Sequence, residues 1–442
     1  MLNISKNAEK ALEMLRSSGY EAYVVGGCVR DMVMGLPAND FDITTSAFPE
    51  ETKQVFSGYN VIETGIQHGT VAVVMDGEVL EITTYRIDGE YRDGRHPDSV
   101  EFTRNLKDDL SRRDFTMNAL SYNHGDGVID CFDGIKDINA KIIRAIGDPK
   151  KRFCEDALRI MRAIRFSSTL GFQIESETRK AMLECKHLLD NVSVERIAVE
   201  LNKFLLGKNV KNAILENYEI LGYICPELEK MYKFNQHSKW HAYDALEHTA
   251  LSVASCPQEL HLRLAMLFHD VGKMHTFFRD ETGEGHFYGH AEKSAQIVKE
   301  LLNRYKYSNF YKERVYTLVK YHDLQTELDS VLIKKRLNRL GKDVFLDLIE
   351  IQRADNAAQS PDKSKKDHLS ALESLTRQIA SESCFSLSNL EINGGVLIAS
   401  GIEKGKKIGE ILNALLSEVI ENKIPNEKNE LLKRAKEIYS KI

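Results

Sequence analysis

The sequence predicts an α+β protein: a mixed α/β head at the N-terminus, then helices to the end of the chain. Two patterns and one dimension carry this reading. Between residues 20 and 145, short β-branched runs such as YVVGG, TVAVVM and VLEITTYR are separated by Gly, Asp and Asn turns. From residue 153 onward, apolar residues return at spacings of three and four with few Gly or Pro, the period of amphipathic helices. The 442 residues accommodate two to four domains, each with its own core, so folding needs no disulfide or metal staple.

With 60 Lys and Arg against 66 Asp and Glu, the formal charge is −6. This excludes a protein that coats nucleic acid by overall charge, and any polyanion must be met by a local basic surface. The seven cysteines, at 28, 131, 154, 185, 225, 256 and 384, are odd in number, widely spaced and form no CxxC pair. That argues against a disulfide framework or a thiolate zinc site and fits a reducing, cytoplasmic setting. The N-terminal MLNISKNAEK is polar and no run of about 18 apolar residues occurs, so neither secretion nor a membrane partner is expected.

In the head, YVVGGCVRDMVMG is an apolar strand running into Gly26 and Gly27, with Arg30 on the next helical turn. Glycine has no Cβ, so this backbone can approach a polyanion such as a triphosphate closely. In NDFDITT, Asp40 and Asp42 alternate with Phe41. On a strand both carboxylates share one face, about 7 Å apart, while the ring turns toward the core. Hard oxygen ligands at that spacing suit Mg²⁺ bridging substrate phosphates. A lone GG is usually a turn and a lone DxD a solvated strand edge; the two together are much harder to dismiss.

Glu81 opens the next alternating strand, EITTYR, either as a third carboxylate of the same site or as a solvated strand charge. The charged, Gly-rich stretch from Arg86 to Thr103 reads as a mobile loop able to close over substrate. In SRRDFTMNAL, Arg112, Arg113 and Asp114 precede a predicted helix whose Phe115, Met117 and Leu120 pack inward. In KRFCEDALRIMRAIRF, Glu155, Asp156, Arg159, Arg162 and Arg165 fall on one half of a predicted helix, with Leu158, Met161 and Ile164 on the remainder. Such groups either form ordinary surface pairs or present fixed donor and acceptor edges that select a base by hydrogen bonding. The polar segment SPDKSKKDHLSA, residues 360 to 371, reads as a linker before a last helical unit.

The ordered run GGCVRD, DFD, RRDFTMNAL, IGDP, EDALR with RAIRF, and SVERIAVEL resembles the motif set of class II tRNA nucleotidyltransferases and bacterial poly(A) polymerases, over roughly residues 20 to 235. GIEKGKKIGEILNALLSEVIENKIPN resembles that family's C-terminal segment. The resemblance implies a nucleotidyltransferase head (1–145), a helical neck and body (146–235), a metal-binding region (236–360) and a helical tail (361–442). It further implies that Gly27 and Arg30 contact the triphosphate, that Asp40 and Asp42 hold the catalytic Mg²⁺, and that Arg113 binds nucleotide. Asp156 and Arg159 would pair with the Watson–Crick edge of CTP or ATP, supported by Glu155, with Arg162 and Arg165 completing the site. Glu195 and Arg196 would brace the neck. The expected reaction adds C, C and A to the 3′ end of tRNA without a template and releases pyrophosphate. Lys404, Lys406, Lys407, Lys433, Arg434 and Lys436 are candidate tRNA contacts in the tail.

A second chemistry is expected in the middle of the chain. Nine of the fourteen histidines fall between 237 and 322, a density that points to ligands rather than chance. His248, the pair His269 and Asp270 after the apolar LAMLF, and Asp355 resemble the ligand order of the HD phosphohydrolase superfamily, with His290 and His322 matching a second-ion set. The resemblance implies a divalent metal of open identity and a phosphodiesterase or phosphatase activity. The main rivals for the transferase are a poly(A) polymerase, a CC-adding enzyme and an A-adding enzyme. TGIQHGTVAVVMDGEVLEITTYR resembles the CCA-adding side and lacks a basic GRRF-like run, the loop DGEYRDGRHPDSV disfavours CC addition alone, and restriction to A stays open. A hydrolase with a passive head and a purely structural RNA-binding module are the readings from other classes.

Overall fold

A computed structural model of the chain describes residues 2–38, 40–89, 99–237, 243–359 and 365–441. They fall into two compact units, Met1–Ile224 and Cys225–Ile442. The expected boundary after residue 235 lies inside the second unit, and the four expected segments are a finer division than these two.

The first unit is built on a seven-stranded sheet. Helix α1 (Lys6–Ser17) leads into β1 (Ala22–Val25), α2 (Gly27–Val33), β2 (Ile43–Thr45) and α3 (Pro49–Val55). Strands β3 (Asn60–Gly65), β4 (Thr70–Met75) and β5 (Glu78–Thr84) form a meander, followed by β6 (Arg86–Asp88), β7 (Val100–Phe102), α4 (Leu106–Ser111), β8 (Leu120–Asn123), β9 (Gly127–Asp130) and α5 (Gly134–Ala140). The spatial order is β3-β4-β5-β2-β1-β8-β9. Only the β2–β5 pairing in this sheet is parallel. All four residues of the central β1 are buried, as its continuous apolar run requires. In β4 the period-two pattern buries Val71, Val73 and Met75 and leaves the alternate residues half-exposed. Helix α1 closes over the sheet with Ala8, Ala11, Leu12 and Leu15, and Ser5 caps it by accepting the Ala8 N–H at 3.1 Å.

Three local expectations are corrected here. The ends of the stretch 86–103 pair as an antiparallel ribbon, β6 with β7, while residues 90–98 of the expected loop lie outside the described residues. The expected helix after Asp114 is one 3-10 turn, Thr116–Asn118, and Leu120 already belongs to β8. Phe115, Met117 and Leu120 are fully buried as expected, but Phe115 bridges Ala145 and β8 pairs with β1, so sheet contacts override the helical pattern. The third correction concerns the residues from Glu155 to Arg165. They lie on two helices, α6 (Pro149–Glu155) and α7 (Leu158–Leu170), with Asp156 extended between them at φ −144 and ψ 102. The Asp156 carboxylate accepts the Leu158 N–H at 3.0 Å, a local bond that competes with helix continuation. Helices α8 (Ser176–Cys185) and α9 (Val194–Leu205) complete the part of this unit that bears on the site.

Among its described residues, the regular structure of the second unit is helical except for one short hairpin, Phe278–Arg279 paired with Gly285–His286. Helices 245–255, 260–268, 290–304, 309–321 and 342–357 bury their apolar faces together, with Leu264, Val298, Leu318 and Ile349 inaccessible to solvent. Of the expected linker at 360–371, residues 360–364 lie outside the described residues and Lys366 onward is helix to Glu382. Leu369, Leu372, Thr376 and Ile379 repeat at three and four and are buried, which holds this polar segment helical. In the tail, helices 406–420 and 428–439 share a core around Leu397, Ile411, Leu415 and Leu431. Lys404, Lys406, Lys407, Lys433 and Lys436 are exposed there. Arg434 is different: Glu418 receives two of its nitrogens at 2.8 and 2.7 Å and Glu437 a third at 2.7 Å, so its charge is spent within the tail.

Candidate active site

The head carboxylates are placed by strand register. Residues 40–42 are an extended segment ahead of β2 and not part of the strand, a correction to the expected geometry. The Val25 N–H nevertheless donates to the Asp42 carbonyl at 2.9 Å, which holds the segment in line with β1. Ile43 is paired in register with Ile82, and Asp42 and Glu81 each precede that pair by one residue, Asp42 just ahead of β2 and Glu81 within β5. Asp40, Asp42 and Glu81 are all exposed, and the Phe41 ring is half-buried. Crowding by protein and the neighbouring Glu81 and Asp40 charges raise the Asp42 carboxyl, against the pull of Arg113. Like charges gathered in this way invite a cation.

Asp42 opens on a cleft of about 440 Å³ whose lining includes Gly26, Gly27, Arg30, Arg113, Asp156 and Arg159. Asp40 and Glu81 are not part of that lining. Gly26 has φ 87, and a Cβ on it would stand 3.1 Å from an Arg113 guanidinium nitrogen, so glycine is required there both for conformation and for room. Seven arginines line the cleft, at 30, 112, 113, 159, 162, 165 and 196, against the three aspartates 42, 114 and 156. A pocket with that excess of guanidinium attracts a polyphosphate.

Each arginine is held by a carboxylate or carbonyl behind it. Asp109 is fully buried, accepts Nε and Nη2 of Arg112 at 2.9 and 2.8 Å, and lies 3.6 Å from Arg113. Burial opposes ionisation of Asp109, but Arg112 and Arg113 outweigh it and lower its carboxyl. Asp114 accepts Arg162 Nε at 2.7 Å, the Asn118 side-chain amide at 3.0 Å and the Phe115 N–H at 2.8 Å. Here too burial opposes ionisation, and Arg162 with the hydrogen bonds overcomes it, lowering Asp114 to about 2. Asn118 also accepts Arg30 Nη1 at 2.7 Å. Arg30, Arg162 and Arg165 all lie over the Phe166 ring, 5.1, 5.6 and 3.9 Å from its centroid, which orders three cations without neutralising them.

The proposed base-reading pair is equally fixed. Arg159 is buried; its Nη1 donates to Glu155 at 2.8 Å and to the Arg152 carbonyl at 2.9 Å, and its Nη2 to the Arg112 carbonyl at 2.8 Å. Asp156 accepts the Leu158 N–H on one oxygen and Arg196 Nη2, at 3.0 Å, on the other. Each carboxylate oxygen has room for a further donor. Glu155 does not face the cleft but stands behind Arg159, and Arg165 pairs with buried Glu200 at 3.0 Å.

Residues 22–144 match the family model described as the poly A polymerase head domain, 171–232 that of a probable RNA and SrmB-binding site of polymerase A, and 287–435 a putative tRNA nucleotidyltransferase domain 2. A CCA-adding enzyme of Ligilactobacillus salivarius is 36% identical over 436 residues, covering 98% of this chain and 96% of the relative. The chain belongs to the CCA-adding enzyme family. A second CCA-adding relative, from Limosilactobacillus fermentum, is 35% identical over 98% of this chain and 96% of its own length. The crystal structure of the Bacillus stearothermophilus CCA-adding enzyme in complex with CTP superposes with a TM-score of 0.74 at 30% identity, covering 98% of this chain and 97% of that one. Among the described residues, no helix of this CCA-adding family member is long and apolar enough to cross a membrane.

The second unit holds a separate cluster. The ligand atoms of His248, His269 and Asp270 all lie within 4.8 Å of one another, and so do those of Asp270, His290 and His322. Asp355 stands 2.9 Å from His248 Nε2 and 3.5 Å from His269 Nε2. The Nδ1 atoms of the four histidines face the carbonyls of Ala358, Met266, Phe287 and Val319 at 3.1, 2.7, 2.9 and 2.7 Å. Each Nδ1 thus faces a carbonyl and each Nε2 is directed inward at the carboxylates, the orientation that metal-ligating histidines adopt, and against burial the Asp270 and Asp355 carboxylates raise His269 to about 10. Burial opposes ionisation of Asp270 and Asp355, but the facing histidines lower both carboxyls well below the usual range. Burial lowers His322 to about 4, helped by His269 and His290, so it stays in the neutral, ligating form.

Sequence reasoning gave no role to Asp109, Asn118 or Phe166. Asn118 and Phe166 stand inside RRDFTMNAL and RAIRF, so the motifs marked them without saying what they touch. Asp109 carried no signal beyond being one acid in DDLSRRD.

Proposed function

We propose that this protein adds C, C and A in turn to the 3′ end of tRNA, using CTP and ATP and releasing pyrophosphate. The observation that carries the proposal is a single cleft lined by the Gly26–Gly27 turn, Asp42, Arg113 and the Asp156–Arg159 pair. Support also comes from the CTP bound in the related Bacillus stearothermophilus enzyme.

Asp40 and Asp42 suit a divalent ion by their hard oxygen donors, and the Glu81 and Asp40 charges add to burial in raising Asp42, although among the described residues these carboxylates do not form a closed ligand cluster. Mg²⁺ held by Asp40 and Asp42 would supply charge neutralisation for the phosphates and activation of the attacking 3′-hydroxyl. Arg30 and Arg113 would orient the triphosphate beside the turn at Gly26. Asp156 offers an acceptor and Arg159 donors, each fixed by bonds to neighbouring protein. Cytosine and adenine both present an amino donor beside a ring-nitrogen acceptor, whereas uracil and guanine present a carbonyl acceptor there. One rigid acceptor–donor pair would therefore admit C and A and refuse U and G. Exposed tail lysines such as Lys404, Lys406 and Lys407 would meet the RNA backbone.

The test is single-nucleotide-resolution extension of a tRNA lacking its last three nucleotides, with labelled CTP and ATP separately and together. Growth by three followed by arrest is expected. Growth by two, an unbounded A tail, or no growth each refutes the proposal.

A second reading concerns the second unit: His248, His269, Asp270 and Asp355 hold one divalent ion, with His290 and His322 serving a second, in a phosphohydrolase site. The inward-facing Nε2 atoms around two depressed carboxyls support it. Metal analysis after exhaustive dialysis is expected to find bound ions that Asp270→Asn removes; a metal-free protein that takes up none refutes it.

A further inference from the structure

Three arginines of the cleft in the first unit share one uncharged support. Arg162 and Phe166 stand one helical turn apart on α7, the spacing that sets two side chains on one face, and Arg165 adjoins Phe166 in sequence. Arg30 comes from α2, distant in the chain. The three guanidinium carbons, of Arg162, Arg165 and Arg30, lie 5.6, 3.9 and 5.1 Å from the Phe166 centroid. Phe166 is 5% exposed, and fully buried Phe115 meets its ring edge-on, with centroids 5.9 Å apart and planes at 88°. A Cβ placed on Gly27 would stand 3.6 Å from Arg30 Nη2, so one of these cations lies right beside the glycine turn.

Cations gathered this closely repel one another. Burial, and after it the Arg162 and Arg30 charges, lower Arg165 against the pull of Glu200 and Asp114. Each arginine already has one carboxylate: Asp31 for Arg30, Asp114 for Arg162 and Glu200 for Arg165. Further carboxylates would steady the group but cancel the charge that a polyanion needs. An aromatic face attracts cations through its quadrupole and carries no net charge, so it can hold the arginines and leave them charged. Simple packing of the arginine stems on apolar surface is the competing role, and any side chain of similar shape would fill it.

We propose that Phe166 is a positioning residue of the transferase site, its ring face holding Arg30, Arg162 and Arg165 as one charged array for the polyphosphate of the incoming nucleotide. The proposal rests on the transferase reading above and adds to it a residue that touches no reacting atom. Because the ring acts through the arginines, weakening its face lowers affinity for the phosphates and leaves the chemistry at Asp40 and Asp42 intact. One cation–π contact corresponds to roughly 2- to 30-fold in affinity, the upper end applying where water is excluded.

The experiment places mono-, di- and trifluorinated phenylalanine at position 166 of the full-length protein, alongside Phe166→Leu. Fluorine withdraws negative charge from the ring face and nearly keeps its shape, so the series separates attraction from packing even if Phe166→Leu fails to fold. With Mg²⁺ present throughout, kcat and KM for CTP are read from extension of a tRNA lacking its last three nucleotides. Calorimetric titration gives the dissociation constant of inorganic pyrophosphate, a probe that carries the phosphates and no base. The KM for CTP and the pyrophosphate constant are expected to rise together with each added fluorine, by about 5-fold or more in the trifluorinated protein, with kcat held within about 2-fold. Constants that stay flat across the fluorinated series overturn the proposal. A rise for CTP alone also overturns it and moves the effect of the ring to the base, and a fall in kcat at constant KM overturns it by moving that effect to the chemical step. Graded loss of pyrophosphate affinity in a protein that extends no tRNA keeps the array and sinks the transferase reading; extension by C, C and A with a flat series does the reverse.

Discussion

Replacing Asp114 by Asn tests the electrostatic scaffolding of the cleft. Asp114 is 8% exposed and takes Arg162 Nη2 at 2.5 Å and Nε at 2.7 Å. Its carboxyl is lowered from 3.8 to about 2. At about 1.4 kcal/mol per pH unit, that difference corresponds to about 2 kcal/mol of folding stability. Because the folded value is the lower one, the contribution is fully present above pH 3.8 and is lost as pH falls through about 2. Asp114→Asn removes it and leaves the Arg162 guanidinium facing a neutral amide. Calorimetry at pH 7 is expected to show the first unit melting roughly 4–8 °C below wild type. Urea titrations followed by circular dichroism at a series of pH values are expected to show the gap narrowing to about half by pH 3. A gap that is absent at pH 7, or that does not change between pH 7 and pH 3, refutes the assignment of Asp114 as an ionised anchor for Arg162.

Other changes separate the remaining roles. Asp156→Ala removes the acceptor of the base-reading pair, and competition assays are expected to show preference for CTP and ATP over UTP and GTP falling by roughly 5- to 150-fold, the worth of one such pair; unaltered preference places base selection elsewhere. Gly26→Ala introduces a side chain at φ 87 that meets Arg113 at 3.1 Å, so nucleotide affinity is expected to fall along with about 1 kcal/mol or more of stability, measured by nucleotide titration and denaturation. Asp109→Asn takes the buried charge from behind Arg112 and Arg113, with an expected loss of about 3–5 kcal/mol on denaturation. A melting curve matching wild type would show that the arginines hold their places without it.

The two-part architecture was legible in the chain, because a period of two before residue 145 and a period of three to four after 153 are local properties of neighbouring residues. The segments that meet at the candidate cleft could be marked for the same reason: Gly26, Asp42, Asp156 and Arg159 stand in short motifs whose residue types suggest phosphate, metal and base chemistry. Where local pattern and tertiary contact disagreed, the contacts decided. Leu120 left its predicted helix for β8, where it pairs with Asp130 of β9, Asp156 broke a predicted helix by capping Leu158, and the polar run from Lys366 became helical once Leu369 and Leu372 found a core. Only tertiary structure could say that Asp109 sits beneath Arg112 and Arg113, that Phe166 gathers three guanidiniums, or that Phe278, His286 and Tyr288 cluster beside one short hairpin. Hydrophobic period and turn chemistry act over a few residues. The partner of a buried charge or an exposed ring is set by which distant segments fold together, and no short window of sequence contains that information.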